Sequence, residues 1–196
     1  LSSLRAAVFL DGRDASAFPE KGLLFSGGGT LAGGFLGGEF TFFQAELGLD
    51  AVFRTGPRDS LGLALFAGTD LAGLAQGFSP VPSPFYSSLR RPGMFYGFSA
   101  SAPEIQGDHA LGLGLEWRRR IARINPLFGR VYLFANASLG LSALEGDSLA
   151  ALPLLWCASG GLQVRLSPSL GLQLAGSLGR SQTSALGLAP ALSLEL

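Results

Sequence analysis

The sequence is poor in charged residues, in cysteine and in histidine. Charged residues make up 14% of the chain and the formal net charge is zero, whereas ordinary soluble domains are roughly 25% charged. A balanced charge gives no basis for nucleic-acid binding, which needs a cationic surface. The single cysteine, Cys157, excludes an internal disulfide, and with one distant histidine, His109, it makes no zinc cage. We therefore expect no metal, no cofactor and no nucleic-acid partner.

Long apolar runs are also missing, although 47% of the residues are hydrophobic. A membrane-spanning helix needs about 20 consecutive apolar residues. The best candidate, residues 148–164, is uncharged but contains Pro153 and the pair Gly160 and Gly161, which disfavour a helix interior. The apolar residues must therefore be placed by some other architecture, and a membrane β-barrel is the other structure that satisfies its backbone within lipid.

Apolar and polar residues instead alternate with a period of two. Within residues 39–54, apolar side chains occupy every second position from Phe43 to Phe53, whereas Glu46 and Asp50 fall on the opposite set. Helical spacing would scatter these acids among the leucines, so the pattern predicts strands. The same pattern recurs along the chain and predicts ten strands, at residues 4–11, 21–33, 39–55, 59–72, 93–101, 109–123, 128–143, 149–166, 169–180 and 184–196. Residues 73–92 and 102–108 are predicted to be loops.

One face of the predicted strands is rich in leucine and the other is small or polar. A tilted membrane strand needs roughly 9–11 residues, and alternation with apolar residues outward is typical of outer-membrane barrels. A soluble β-sandwich or a lipocalin-like binder would bury the same leucines, and stays an alternative. With the leucines outward, the pattern places these charged residues in the lumen: Glu46, Asp50, Glu116, Arg118 and Arg165.

Several motifs resemble, in order, the bacterial surface antigen barrel of the outer-membrane assembly-factor superfamily. Residues 9–22 are similar to its opening segment, where an Asp-x-Arg-Asp turn precedes Phe-Pro-x-x-Gly. The matching residues here are Asp11, Arg13, Asp14, Pro19 and Gly22. The further motifs lie at residues 84–86, 95–98, 107–118 and 158–171. The signature loop of the family, which folds back into the lumen, corresponds to Tyr96, Gly97 and Phe98.

Tyr96 stands where the signature loop of the family has an arginine that docks in the lumen of the insertion pores. This departure, together with residues 107–110 and 117–120, makes the chain resemble most the C-terminal barrel of outer-membrane patatin-like phospholipases. A second departure is the last residue, Leu196, where such chains usually end in Phe or Trp.

The resemblance implies an antiparallel transmembrane β-barrel, often of sixteen strands in this family, whereas the alternation gives about 10–12 strands in residues 1–196. These residues would be the C-terminal domain of a longer bacterial outer-membrane protein, and the barrel would be closed by further N-terminal strands or by a partner. The expected role is an anchor or translocator for an attached domain, and an insertion, secretion or solute pore is the alternative. The implied partners are the lipid bilayer and the outer-membrane insertion machinery, and a homo-oligomer is left open.

The sequence predicts no catalytic site. Residues 25–30 resemble the glycine-rich oxyanion loop of patatins, but no Gly-x-Ser-x-Gly nucleophile motif occurs in the chain. His109 follows Asp108 without a nucleophile to pair with. In the basic run that follows, strand spacing directs Arg118 and Arg120 inward and places Arg119 at the membrane rim.

Overall fold

The computed structural model describes residues 3–32, 42–70, 87–88, 94–95, 106–107, 109–124, 129–143, 154–180 and 187–195. These residues form strands, turns and bends. The strands are β1 (Ser3–Asp11), β2 (Gly22–Ala32), β3 (Phe42–Arg54), β4 (Asp59–Asp70), β5 (Ser87–Ser88), β6 (Gln106–Gly107), β7 (His109–Arg123), β8 (Arg130–Ala143), β9 (Leu155–Arg165), β10 (Gly171–Arg180) and β11 (Gly187–Glu195). In this part of the chain we find no helix with the length and apolar character needed to span a membrane.

Nine strands form one antiparallel sheet in the order β1-β2-β3-β4-β7-β8-β9-β10-β11. Each strand pairs with its neighbour along the chain, except that β4 pairs directly with β7. The short strands β5 and β6 pair with each other in a separate two-stranded sheet. The register is continuous apart from an irregularity in β7 between Arg120 and Ala122. The predicted all-β antiparallel architecture is therefore confirmed.

Nine of the ten predicted strands correspond to strands of the main sheet, and β7 matches its predicted bounds residue for residue. No strand lies between β4 and β7, where the order of the predicted strands would put 93–101, because β4 and β7 pair directly from Asp59 to Thr69. Most of the stretch 93–101 lies outside the described residues. Only Met94 and Phe95 of that stretch are described, and Met94 forms an isolated bridge.

The two faces of the sheet differ as the alternation predicts. Along β7, Leu115 and Trp117 are 46% and 36% exposed, whereas Glu116 and Arg118 between them are 2% and 7% exposed. The same burial pattern continues along β8. The leucine-rich face is thus the outer, convex face of the sheet and the small or polar face is the inner one. This arrangement is the opposite of a β-sandwich, which buries its apolar faces against each other.

The four connections β1–β2, β3–β4, β7–β8 and β9–β10 all lie at one end of the sheet, which we call the turn end. Backbone hydrogen bonds close them, among them Thr55 N–H to the Asp59 carbonyl at 3.1 Å and Leu166 N–H to the Leu170 carbonyl at 2.9 Å. The opposite end, which we call the loop end, carries the connections at 33–41, 71–108, 144–154 and 181–186.

The sheet is strongly curled, as a contact between its distant hairpins requires. The N–H groups of Ser16 and Ala17, which follow β1, both donate to the carbonyl of Pro168 between β9 and β10 at 3.0 Å. Six strand spacings separate these two hairpins, which would be about 29 Å in a flat sheet. A second contact is more restrictive, since a Cβ at Gly171, where β10 begins, would lie 2.4 Å from the Phe18 ring. Phe18 is four residues from Gly22 of β2, a reach of at most about 14 Å, whereas β2 and β10 are also six strand spacings apart. The inner face therefore encloses an interior, although among the described residues β1 and β11 each pair with one neighbour and the ring is not closed.

Candidate functional site

The connection between β1 and β2, residues 12–21, folds under the sheet at the turn end, and we call it the inner clasp. Asp11 begins it by accepting hydrogen bonds from the backbone and side chain of Arg13 at 2.8–3.0 Å. Asp14 closes it by accepting the N–H groups of Glu20 at 2.9 Å and Lys21 at 3.3 Å. Both carboxylates bind nearby backbone N–H groups, as Asp side chains do in turns.

Two backbone positions of the clasp have positive φ. Gly22 has a φ of 120°, and a Cβ there would lie 2.5 Å from the Arg13 Cα and the Gly12 carbonyl oxygen. Only glycine fits this position. Phe18 has a φ of 44°, which turns its buried ring toward β10. The motif residues Asp11, Arg13, Asp14, Pro19 and Gly22 thus all belong to the clasp or to the strand ends beside it.

The centre of the site is the carboxylate of Glu20, whose side chain is 7% exposed. Cations and a hydroxyl from three strands converge on it. The donors are Arg54 Nη2 at 2.5 Å, Arg120 Nη1 at 3.0 Å, Arg130 Nη1 at 2.5 Å and the Tyr132 hydroxyl at 3.0 Å. One acidic side chain of the clasp therefore ties together β3, β7 and β8.

The charge state of Glu20 follows from these contacts. Burial by itself raises the pKa of a carboxyl group, because it removes water from the charged form. Hydrogen bonds from Tyr132 and Arg130, with the positive charges of Arg130 and Arg120, outweigh burial and lower the pKa of Glu20 to about 2. Glu20 is therefore a carboxylate throughout the neutral range.

Arginine side chains also hold the backbone of the clasp. Arg118 Nη1 donates to the Pro19 carbonyl at 2.5 Å, and Arg165 Nη1 donates to the Phe18 carbonyl at 3.2 Å. Both arginines are buried on the inner face, where bare cations would be costly without partners. The clasp supplies some of those partners, so it is part of the interior and fills its turn end.

Further from the turn end, the inner face carries a buried polar network. Arg118 and Glu116 form an ion pair. The Gln163 side chain donates to Glu116 Oε1 at 3.4 Å and to Gln173 Oε1 at 2.8 Å. Glu116 Oε2 has no hydrogen-bond partner within the described part of the chain. It borders a cavity of about 50 Å³ between the clasp, β3, β4 and β7, with Asp50 also in its wall. That space is enough for a few water molecules.

Beyond this network the interior combines an apolar cluster with buried serine side chains, and a returning segment of the chain packs into it. Met94 and Phe95 are 1% and 0% exposed and pack with Phe66, Leu155 and Cys157. The Phe95 N–H donates to Ser138 Oγ at 3.0 Å. Here the chain between β4 and β7 enters the interior, at the residues next to the predicted signature loop. Tyr96, Gly97 and Phe98 themselves lie outside the described residues.

The predicted lumen charges are on the inner face by register, but they do not form a single cluster. Arg118 and Arg165 both reach the clasp, and Glu116 pairs with Arg118. Asp50 lines the cavity, and Glu46 lies four residues further toward the loop end, opposite Gly28 and Gly68. Sequence reasoning missed Glu20 as the charged centre, since it treated the opening motif as a turn.

Other candidates from the sequence have ordinary places in the sheet. The glycine-rich stretch at residues 25–30 forms the middle of β2. His109 begins β7 on the outer face, where its Nδ1 lies 2.8 Å from Thr69 Oγ1. Arg119 is also on the outer face, with its side chain 54% exposed and 3.9 Å from Asp59. Cys157, the single cysteine of the chain, is buried.

No family model matches this chain, and neither the curated proteins nor the solved structures include one that is significantly similar to it.

Proposed function

We propose that this chain is the greater part of a membrane-embedded β-barrel that anchors a larger bacterial outer-membrane protein. The observation that carries the proposal is the outer face, where large apolar side chains are exposed on every described strand from β1 to β4 and from β7 to β10. Examples are Leu10, Leu47, Leu65, Leu115 and Leu174, which are 40–64% exposed. Contiguous apolar surface of this extent is unfavourable in water. In a bilayer, lipid hydrocarbon would cover this apolar surface and remove the cost of exposing it to water.

The filled interior supports an anchor over a solute pore. Porin-type barrels keep an aqueous channel. Here the clasp occupies the turn end, and Met94 and Phe95 pack among apolar side chains further along. The cavity between the clasp and β3, β4 and β7 measures about 50 Å³, which is too small for a solute path. A barrel filled in this way holds a position in the membrane without conducting.

The directions of the edge strands support closure by additional strands. β1 and β11 both run from the loop end to the turn end, because the nine strands between and including them alternate in direction. Direct pairing of the two would be parallel, whereas bacterial outer-membrane barrels are antiparallel with even strand numbers. A second copy rotated about the barrel axis would also place its β1 parallel to β11 of the first copy. An odd number of further strands, outside these nine, would complete the ring.

The identity of the larger protein rests on the sequence resemblance. The opening motif and the Tyr96 replacement are similar to barrels of outer-membrane patatin-like phospholipases, and we propose a protein of that kind as the parent. In this proposal the chain itself carries no chemistry, and the attached domain would be the lipid acyl hydrolase.

Tryptophan fluorescence tests the membrane claim. Trp117 is on the outer face, and in the variant Trp156→Phe it is the remaining tryptophan. We expect brominated phospholipids to quench its emission in reconstituted bilayers, as they quench interfacial tryptophans. The matched variant Trp117→Phe reports Trp156, which lies on the same face by its pairing with Leu139. A chain that is monodisperse and monomeric without detergent would overturn the proposal.

Planar-bilayer recording separates the anchor from the pore. The anchor proposal expects no stable conductance from the reconstituted chain. Large, stable channels in the unmodified protein would reject the anchor and support the transport alternative.

A further inference from the structure

We infer that the turn end of the sheet binds an acidic polypeptide segment through arginines that Glu20 neutralises only in part. The inference goes beyond membrane anchoring and does not depend on it. It rests on the position, register and exposure of the arginines on the inner face at that end.

Three arginines stand directly opposite one another across three neighbouring strands. Arg123 of β7 is the register partner of Arg130 of β8, and Arg130 is also the partner of Arg165 of β9. Like charges directly opposite in a sheet are destabilising. Arg165 has the Phe18 carbonyl and the Tyr132 ring as partners, whereas the exposed Arg123 has no ion-pair partner among the described residues. A row of this kind is expected where an anion from outside lowers the repulsion.

The nearby acid does not balance these charges. Glu20 alone faces Arg54, Arg120 and Arg130, so three guanidinium groups share one carboxylate. The other acid of the clasp, Asp14, binds backbone N–H groups, and Asp11 at the end of β1 binds Arg13. The surplus positive charge is accessible from water, because the Arg54 and Arg130 side chains are 47% and 23% exposed. The turn end therefore presents a cationic surface to water.

The chemistry of the occupant follows from what the site already binds. The arginines hold a glutamate carboxylate, and the planar guanidinium matches a carboxylate well. The row from Arg123 to Arg165 covers two strand spacings, about 10 Å. One carboxylate is too small to reach across that distance, whereas successive acidic residues of an extended peptide, about 7 Å apart at every second position, reach several arginines at once. These dimensions favour an acidic segment over a single small anion.

A labelled hexaglutamate peptide tests the inference. Its binding to the whole chain in a nonionic detergent is measured by fluorescence anisotropy, with hexaglutamine as the uncharged control. Should the chain prove soluble, the same measurement is made in buffer, so failure of the membrane proposal leaves this test intact. We expect hexaglutamate to bind, hexaglutamine not to bind, and the affinity to fall as ionic strength rises.

Variants locate the site. Arg123→Gln should weaken hexaglutamate binding about threefold, as expected for one exposed ion pair. Arg5→Gln is the matched control, because Arg5 is exposed near the loop end of β1, and it should leave binding unchanged. Glu20→Gln should strengthen binding, since it frees three arginines.

Two results would overturn the inference. Equal binding by Arg123→Gln and Arg5→Gln would remove the turn end as the site. Competition by inorganic phosphate as strong, per molecule, as that by unlabelled hexaglutamate would replace the acidic segment with a simple anion. Because Arg123 has no described ion-pair partner, its replacement leaves the fold intact and keeps the test decisive.

Discussion

The two faces of one strand differ in what surrounds their side chains, as Leu115 and Glu116 illustrate. Leu115 is 46% exposed on the outer face, and nothing in the described chain covers it. Glu116 is 2% exposed on the inner face, where Arg118 and Gln163 are its partners. The inner face is stabilised by contacts that the chain itself provides, whereas the outer face depends on a surrounding medium. Substitutions on the two faces should therefore respond to different conditions.

The largest effect is expected on the outer face in a bilayer. Leu115 lies midway along β7, the longest strand, so under the membrane proposal its side chain is near the bilayer midplane. Leu115→Arg should lower the free energy of unfolding in lipid vesicles by about 2–4 kcal/mol, the cost of arginine at that depth. The measurement is reversible urea unfolding in vesicles.

Leu115→Ala is the control for lost side-chain volume and should cost less than Leu115→Arg. If both variants lost the same stability, the outer face would not face hydrocarbon. The contrast between the faces would then need another explanation.

On the inner face, the largest effect is expected at Glu20. Glu20→Gln leaves Arg54, Arg120 and Arg130 around a neutral amide, and breaking a buried ion pair costs about 3–5 kcal/mol. Because Arg54 is half exposed, we expect a smaller loss of about 2 kcal/mol. Asp59→Asn removes one acid from the outer face at the same end, where its ion-pair partner in the described part of the chain is the exposed Arg119. This control should change stability by less than about 0.5 kcal/mol.

The strands and faces could be predicted from the sequence because they depend on local alternation. β7 and the inward direction of Glu116 and Arg118 follow from the period of two alone. Glu20 could not be found in this way. Its partners Arg54 and Tyr132 lie 34 and 112 residues away, and they meet only because the sheet curls. Met94 and Phe95 show the same limit, since their apolar character is that of a strand in the sequence, whereas both pack in the interior.

Acid titration tests whether the charge of Glu20 stabilises the inner face. The pKa of Glu20 is about 2 in the folded protein against an ordinary value of 4.5. A lowered pKa contributes stability that is present above pH 4.5 and is lost as the pH falls toward 2. The stability difference between the unmodified protein and Glu20→Gln should therefore be constant near neutrality and shrink below pH 4.5.

Urea unfolding at a series of pH values measures this difference directly. The effect of Leu115→Arg should be unchanged over the same range, because neither leucine nor arginine titrates there. A Glu20→Gln difference that stayed constant down to pH 3 would show that the carboxylate charge is not what holds the clasp.

The smallest effect concerns the packing of the clasp against β10. A Cβ at Gly171 would lie 2.4 Å from Phe18 Cε2, and the Phe18 ring is buried. Gly171→Ala should therefore cost about 1 kcal/mol, at the low end for an overpacked site because the ring can shift. A Cβ at Gly176, on the same strand, would have nothing within 4 Å. Gly176→Ala should thus be neutral or stabilising by up to about 0.5 kcal/mol, since alanine loses less backbone entropy. Equal effects of the two alanine substitutions in thermal unfolding would mean that Phe18 does not pack against Gly171. The inner face would then lack this contact between the clasp and β10, which lie far apart in the strand order.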